Sequence, residues 1–227
     1  SQQKAATAIR TKNPQIDAAV IRAALDSVVW PVGYLDFETL MTAVPLYPDV
    51  APHEQLVTQY SLHVEASQGG ELAHREYLAD HARDCREELA TRLIRDTAGC
   101  RTVAVYSSFE KTMIRGLAKL LPTYAAELAN LEAKLFDLEP AVRKGLVHPE
   151  FGGRSSIKVV LPVLAPDLSY ADLEIGDGGA AVAAFAKLAS GKVTEEEVRA
   201  VRRALLEYCK LDTLAMVQVL GTLLEIP

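Results

Sequence analysis

The sequence predicts a mixed α/β domain: a central five-stranded mixed sheet that opens with an antiparallel three-strand meander and is flanked by helices. Three observations carry this reading. Strand-like runs follow one another between residues 30 and 78 with only turn-like connections; from residue 82 helical and strand-like segments alternate; and from residue 178 the chain is helical. Hydrophobic residues make up 49% of the 227, ample for a sizeable core.

Residues 4–28 carry Ala, Ile and Leu at helical spacing, broken at Asn13-Pro14, and read as two short helices leading into the sheet. Val28-Val29-Trp30 opens the β-rich stretch, with strands expected at 30–37, 56–65 and 71–78. Ser67-Gln68-Gly69-Gly70 supplies a hairpin turn between the last two. A helix is expected over 82–97, a short strand at Thr102-Val103-Ala104-Val105-Tyr106, and a helix from Phe109 to Leu120 that Pro122 stops. A further helix over 123–134 leads to Leu135-Phe136-Asp137-Leu138 as a short strand, and helices over 178–189 and 194–224 complete the chain.

A net charge of −6 and a pI near 5.4 argue against a protein whose whole surface coats nucleic acid. They leave room for a nuclease, because acids gathered in one site let cations neutralise a phosphate locally. Cys85, Cys100 and Cys209 are odd in number and widely spaced, and they read as reduced and structural. No apolar run approaches the roughly 18 residues that cross a bilayer, and Ser1-Gln2-Gln3-Lys4 lacks the apolar core of a signal peptide, so a cytoplasmic location is expected. The helical opening without an initiator Met suggests a fragment of a longer protein, with residues 1–28 as the end of a preceding region and other domains of that parent as partners; a processed chain would look the same.

The chemistry begins at Tyr34-Leu35-Asp36-Phe37-Glu38-Thr39. Strand side chains alternate faces, so Asp36 and Glu38 point one way and Leu35 and Phe37 the other. A buried acid pair repels itself and bears a desolvation cost, so the pattern asks for a metal, a basic partner or an exposed strand end. Glu110 lies where a strand gives way to a helix, a position where an acid also serves as a cap. Tyr208 and Asp212, four apart on the last helix, project to one side; that face is either solvated or turned to the core or a cleft.

Together these residues resemble the three motifs of the DEDD exonuclease superfamily, tyrosine subclass, whose fold is ribonuclease H-like. The stretches "WPVGYLDFET", "YPDVAPHEQLVTQYSLHV", "VYSSFEKTMI", "FDLEPAVR", "SSIKVVLPVL", "LSYADLEIGDGGAA" and "LEYCKLDTLAM" are similar to an uncharacterised bacterial domain-of-unknown-function family of predicted nucleases, often C-terminal to a RecB-like region. The resemblance covers about residues 28–225 and implies a nuclease domain over 29–227. It implies Asp36 and Glu38 as the first motif and Tyr208 and Asp212 as the third. Glu110 stands where the superfamily usually has Asp, one methylene shorter, and Asp137 is the alternative acid, although an Asp after a short strand also caps the helix that follows.

If the acids Asp36, Glu38, Glu110 and Asp212 converge, they suit two Mg²⁺ or Mn²⁺ ions about 3.5–4 Å apart. Asp36 then bridges the ions, Glu38 holds the one nearer the attacking water, and Tyr208 orients that water or the scissile phosphate. The expected activity is 3′→5′ exonucleolytic hydrolysis of single-stranded DNA or RNA. Arg154, Ser155, Ser156 and Lys158 form a candidate phosphate-backbone contact, and they equally read as a helix N-terminus with solvated basic neighbours. His53, His63 and His74 show no zinc pattern, and Ser107-Ser108 lacks a Gly-x-Ser-x-Gly elbow, so a zinc hydrolase and a serine hydrolase are disfavoured. The rival expectation is a catalytically weak nucleic-acid-binding or docking module of a larger nuclease. It predicts scattered acids, or acids neutralised by Arg and Lys.

Overall fold

The computed structural model describes residues 2–227. Helix α1 (Gln2–Thr11) is followed by a two-residue strand β1 (Gln15–Ile16) and helix α2 (Ala18–Leu25), whose first turn is capped by Asp17 accepting from the Val20 N–H. The meander is β2 (Val32–Met41), β3 (Gln55–Glu65) and β4 (Leu72–Leu78). Alternation of strand and helix then gives α3 (Arg86–Thr97), β5 (Thr102–Val105), α4 (Phe109–Leu120), α5 (Ala125–Glu132) and β6 (Leu135–Asp137). The remainder is α6 (Glu139–Gly145), β7 (Leu146–Val147), α7 (Ile157–Leu164), α8 (Gly178–Ala189) and α9 (Glu195–Leu224).

The main sheet is mixed and five-stranded, in the order β4-β3-β2-β5-β6. The meander strands pair antiparallel, while β5 and β6 add in parallel on the other side of β2. Strand β2 is therefore where the chain's direction of growth reverses, and crevices for ligands open beyond the carboxyl ends of strands at such a point. Its pairing with β5 runs only from Val32 to Tyr34, so Asp36 and Glu38 lie on the stretch of β2 beyond that contact.

Pleating sorts β2 onto two faces. Leu35 and Phe37 pack with Tyr60, Leu62, Val103 and Val105 in a core that continues into α3 and α4 through Leu89, Leu93, Met113 and Ile114. Val32, Tyr34 and Ala104 belong to a second core with Ile21 and Leu25 of α2, Val142 of α6, Val160 of α7 and Met216 and Val219 of α9. Ile21 is fully buried in that core, which ties α2 to the sheet domain. Among the described residues no helix is long and apolar enough to cross a membrane.

Several boundaries differ from the sequence reading for physical reasons. Strand β2 continues to Met41 because the long β3 pairs along it as far as Gln55, with a register shift between Glu38 and Thr39. Helix α3 starts at Arg86 instead of residue 82, since Asp80 and Asp84 turn the preceding backbone by accepting from the Ala82 and Arg86 N–H groups. The segment from 123 begins as a 3₁₀ turn over Pro122–Tyr124. The small β1/β7 sheet and α6 have no period to announce them: two residues of strand carry no alternation, and α6 is seven residues long.

Candidate metal centre

One face of the meander is polar beneath α9. Directly opposite Asp36 on β3 is Ser61, and opposite Glu38 is Gln59. Gln59 donates to the Leu205 carbonyl at 2.9 Å, Ser61 and His63 each meet the Thr213 hydroxyl at 2.8 Å, and the Cys209 thiol contacts Asp36 Oδ2 at 3.5 Å. These contacts lay α9 across the strands. The Thr194–Glu197 capping box starts the helix, and its 3.6-residue period brings Leu205, Tyr208, Cys209, Asp212 and Thr213 to its buried side.

The result is a cavity of about 350 Å³ whose walls include Asp36, Glu38, Glu110, Lys158, Tyr208 and Asp212. The four acids singled out in the sequence thus line one space, contributed by β2, the first turn of α4, and α9. Glu38, Glu110 and Asp212 are buried and Asp36 is half-buried. Among the described residues, Asp36, Glu38 and Cys209 offer ligand atoms all within 4.8 Å of one another. Glu110 is held by Ser107, whose hydroxyl donates to Oε2 at 3.4 Å.

Electrostatics express the crowding. Burial, then the charges of Asp212, Glu110 and Glu38, push Asp36 well above the usual carboxylate range. Glu38 is pushed up to about 8 by burial and the Asp212 charge, with Lys158 opposing. Burial pushes Glu110 up to about 7, against its backbone and Ser107 hydrogen bonds. Asp212 is raised by burial, while Tyr170 and Lys158 pull it down. Carboxylates held this close, with the ammonium of Lys158 as their one cationic neighbour in the cavity lining among the described residues, favour their protonated forms, and hard divalent cations are what such an oxygen-rich donor set fits.

Two participants were not foreseen, Tyr170 and Cys209, and a third, Lys158, was expected only as part of a phosphate-backbone contact. Tyr170, in the connection between α7 and α8, donates to Asp212 Oδ1 at 2.6 Å. Cys209, read as merely structural, has its thiol against Asp36. Lys158 reaches the cavity from the first turn of α7, where Nζ donates to the Tyr208 hydroxyl at 2.6 Å and to the Gly176 carbonyl at 3.1 Å. Two adjacent tyrosine rings lie under this ammonium, at 4.6 Å for Tyr208 and 5.3 Å for Tyr170. The "LSYADLEIGDGG" stretch carried Tyr170 in plain view, but an irregular segment has no period to say where a side chain ends up.

Other sequence candidates lie apart from the cavity wall. Asp137 ends β6 and accepts from the Glu139 N–H at 3.0 Å, the capping contact; its charge still reaches Glu110. Ser155 donates to Glu139 at 2.7 Å and its carbonyl accepts from Tyr106, while Ser156 occupies the N-cap of α7. Arg154 is exposed and borders a separate cavity beside α1. His63 and His74 meet in a tilted pair with ring centroids 4.4 Å apart, and burial lowers both to about 4, so they are neutral members of the polar layer.

The fold and site define a mixed α/β protein with an acid-lined cleft at the reversal point of its sheet. The chain belongs to the family described as "Domain of unknown function (DUF2779)", whose family model matches residues 33–156, more than half of its length. Asp36, Glu38 and Glu110 fall within the matched segment, whereas Lys158, Tyr170, Tyr208 and Asp212 lie beyond it. No curated protein and no solved structure matches the chain.

Proposed function

We propose that the protein is a metal-dependent nuclease of ribonuclease H-like fold that hydrolyses phosphodiester bonds as a 3′→5′ exonuclease on single-stranded DNA or RNA. The observation that carries the reading is the convergence of Asp36, Glu38, Glu110 and Asp212 on one cavity with their pKa values raised. A three-strand meander whose first strand bears the acids supports the fold assignment. These four residues would hold two Mg²⁺ or Mn²⁺ ions, which when bound supply Lewis-acid stabilisation of a phosphodiester and an acidified water.

The chain's own groups contribute the rest. Burial and the nearby carboxylates raise the Tyr208 pKa, so its hydroxyl remains protonated and acts by hydrogen bonding, not as a base. Tyr170 and Cys209 fix the rotamers of Asp212 and Asp36 from outside the cavity. The cavity is within the size range of small-ligand pockets, which suits one terminal nucleotide better than a duplex.

The test is incubation of wild type and Asp36→Ala with end-labelled single strands of DNA and RNA in Mn²⁺, Mg²⁺ or EDTA. Expected is metal-dependent shortening from the 3′ end by wild type, abolished by EDTA and by Asp36→Ala. Strand binding without cleavage in any metal would instead support the docking-module reading, which draws on the ammonium of Lys158 among the acids.

A further inference from the structure

Lys158 is the single basic side chain among the described residues that line the acidic cavity. It sits in the first turn of α7, where the helix dipole disfavours a cation, so the helix gains nothing from it. Nor is it a conventional counter-ion: among the described residues no carboxylate oxygen lies within 4.0 Å of Nζ. Instead it is held beside the acids, by the Tyr208 hydroxyl, the Gly176 carbonyl and the faces of two tyrosines. An ammonium has three donors and these partners take two. Because an ammonium only donates, the Tyr208 oxygen accepts from it, and the tyrosine's own proton must point elsewhere.

We infer that Lys158 is the phosphate anchor of this site: its remaining donor binds a non-bridging oxygen of the substrate phosphate, while its bond to Tyr208 keeps that hydroxyl's proton directed away from the lysine. The inference rests on the nuclease reading and deepens it. A cation tethered by neutral groups next to carboxylates keeps its charge available to an incoming anion, which an ion-paired lysine would not. It also lets an acidic cleft receive a phosphate before the charge on that phosphate meets the carboxylates.

The experiment compares wild type, Lys158→Met and Lys158→Arg by calorimetric binding of thymidine 5′-monophosphate in Mn²⁺ and by cleavage kinetics on a labelled single strand. Lys158→Met is expected to weaken monophosphate binding about ten- to a hundredfold, the range of a hydrogen bond to a charged group, to raise KM, and to lower kcat through the released Tyr208. Lys158→Arg is expected to restore most of the binding but less of kcat. Thermal denaturation of each variant checks folding, and Lys158→Gln, which keeps donors without charge, replaces Met if that variant is unfolded. Monophosphate binding and KM within twofold of wild type in Lys158→Met, or a loss that Arg does not relieve, would overturn the inference while leaving the nuclease reading in place. A wild type that neither cleaves a strand nor binds the monophosphate removes both.

Discussion

At the scale of single residues, Tyr208 illustrates how position dictates role. Its ring is buried, its oxygen accepts from Lys158, and its pKa is raised by burial and by Asp212, Glu38 and Asp36, so it enters chemistry as a protonated hydroxyl. Tyr208→Phe keeps the ring and removes only that hydroxyl. We expect it to lower kcat about ten- to a hundredfold, the equivalent of one strong hydrogen bond in the transition state, with Mn²⁺ affinity measured by calorimetry unchanged. Unaltered turnover would take Tyr208 out of the mechanism. The residues that were legible in the sequence share one property: Asp36 with Glu38, and Tyr208 with Asp212, sit on regular elements whose periods of 2.0 and 3.6 fix which side chains share a face. Lys158 was legible as a basic group for a phosphate, but its bond to Tyr208 and the bond of Tyr170 to Asp212 span 50 and 42 residues of sequence, from a first helical turn and an irregular connection, and spacing says nothing about such contacts.

At the scale of elements, α9 is the lever on which the site depends. Thirty residues long, it spans the polar face of the meander and presents Tyr208, Cys209, Asp212 and Thr213 to β2 and β3. Its span was expected over 194–224, and the capping box at Thr194 holds Glu197 down to about 2. The main strands were readable too, because alternation over seven to eleven residues is a strong signal. The docking of α2 on α6 was not, since it depends on a close approach that no pattern encodes. Gly145 ends α6 where a Cβ would overlap the Ile21 side chain, and its carbonyl accepts the Asp17 N–H at 2.8 Å. Gly145→Ala should therefore cost about 1–3 kcal/mol by overpacking, read as a lower urea midpoint. Because this contact lies in the second core, away from the cavity lining, metal affinity should be retained; a stability equal to wild type would mean that α2 can shift without penalty.

At the scale of the whole molecule, the acid cluster makes stability depend on pH in a direction opposite to ordinary surface carboxylates. Asp36, Glu38, Glu110 and Asp212 all have raised pKa values in the fold, so the native state keeps protons that the unfolded chain has already released. Their contribution is fully present below the unfolded carboxylate range and is lost as pH rises through about 7 for Glu110 and about 8 for Glu38. His63 and His74 act in the other direction: with folded values near 4, they penalise the fold below their ordinary 6.5 and are silent above it. Above pH 6.5 the acids therefore act alone. In EDTA the melting temperature should fall between pH 6.5 and 8.5, at about 1.4 kcal/mol per pH unit for each group then titrating. Millimolar Mn²⁺ should raise it, and by more at pH 8 than at pH 6.5, because a cation displaces the protons that the cluster otherwise holds. A melting temperature in EDTA that stays level or climbs across this window would show that the four carboxylates do not share one buried field, and the proposed metal centre would lose its electrostatic basis.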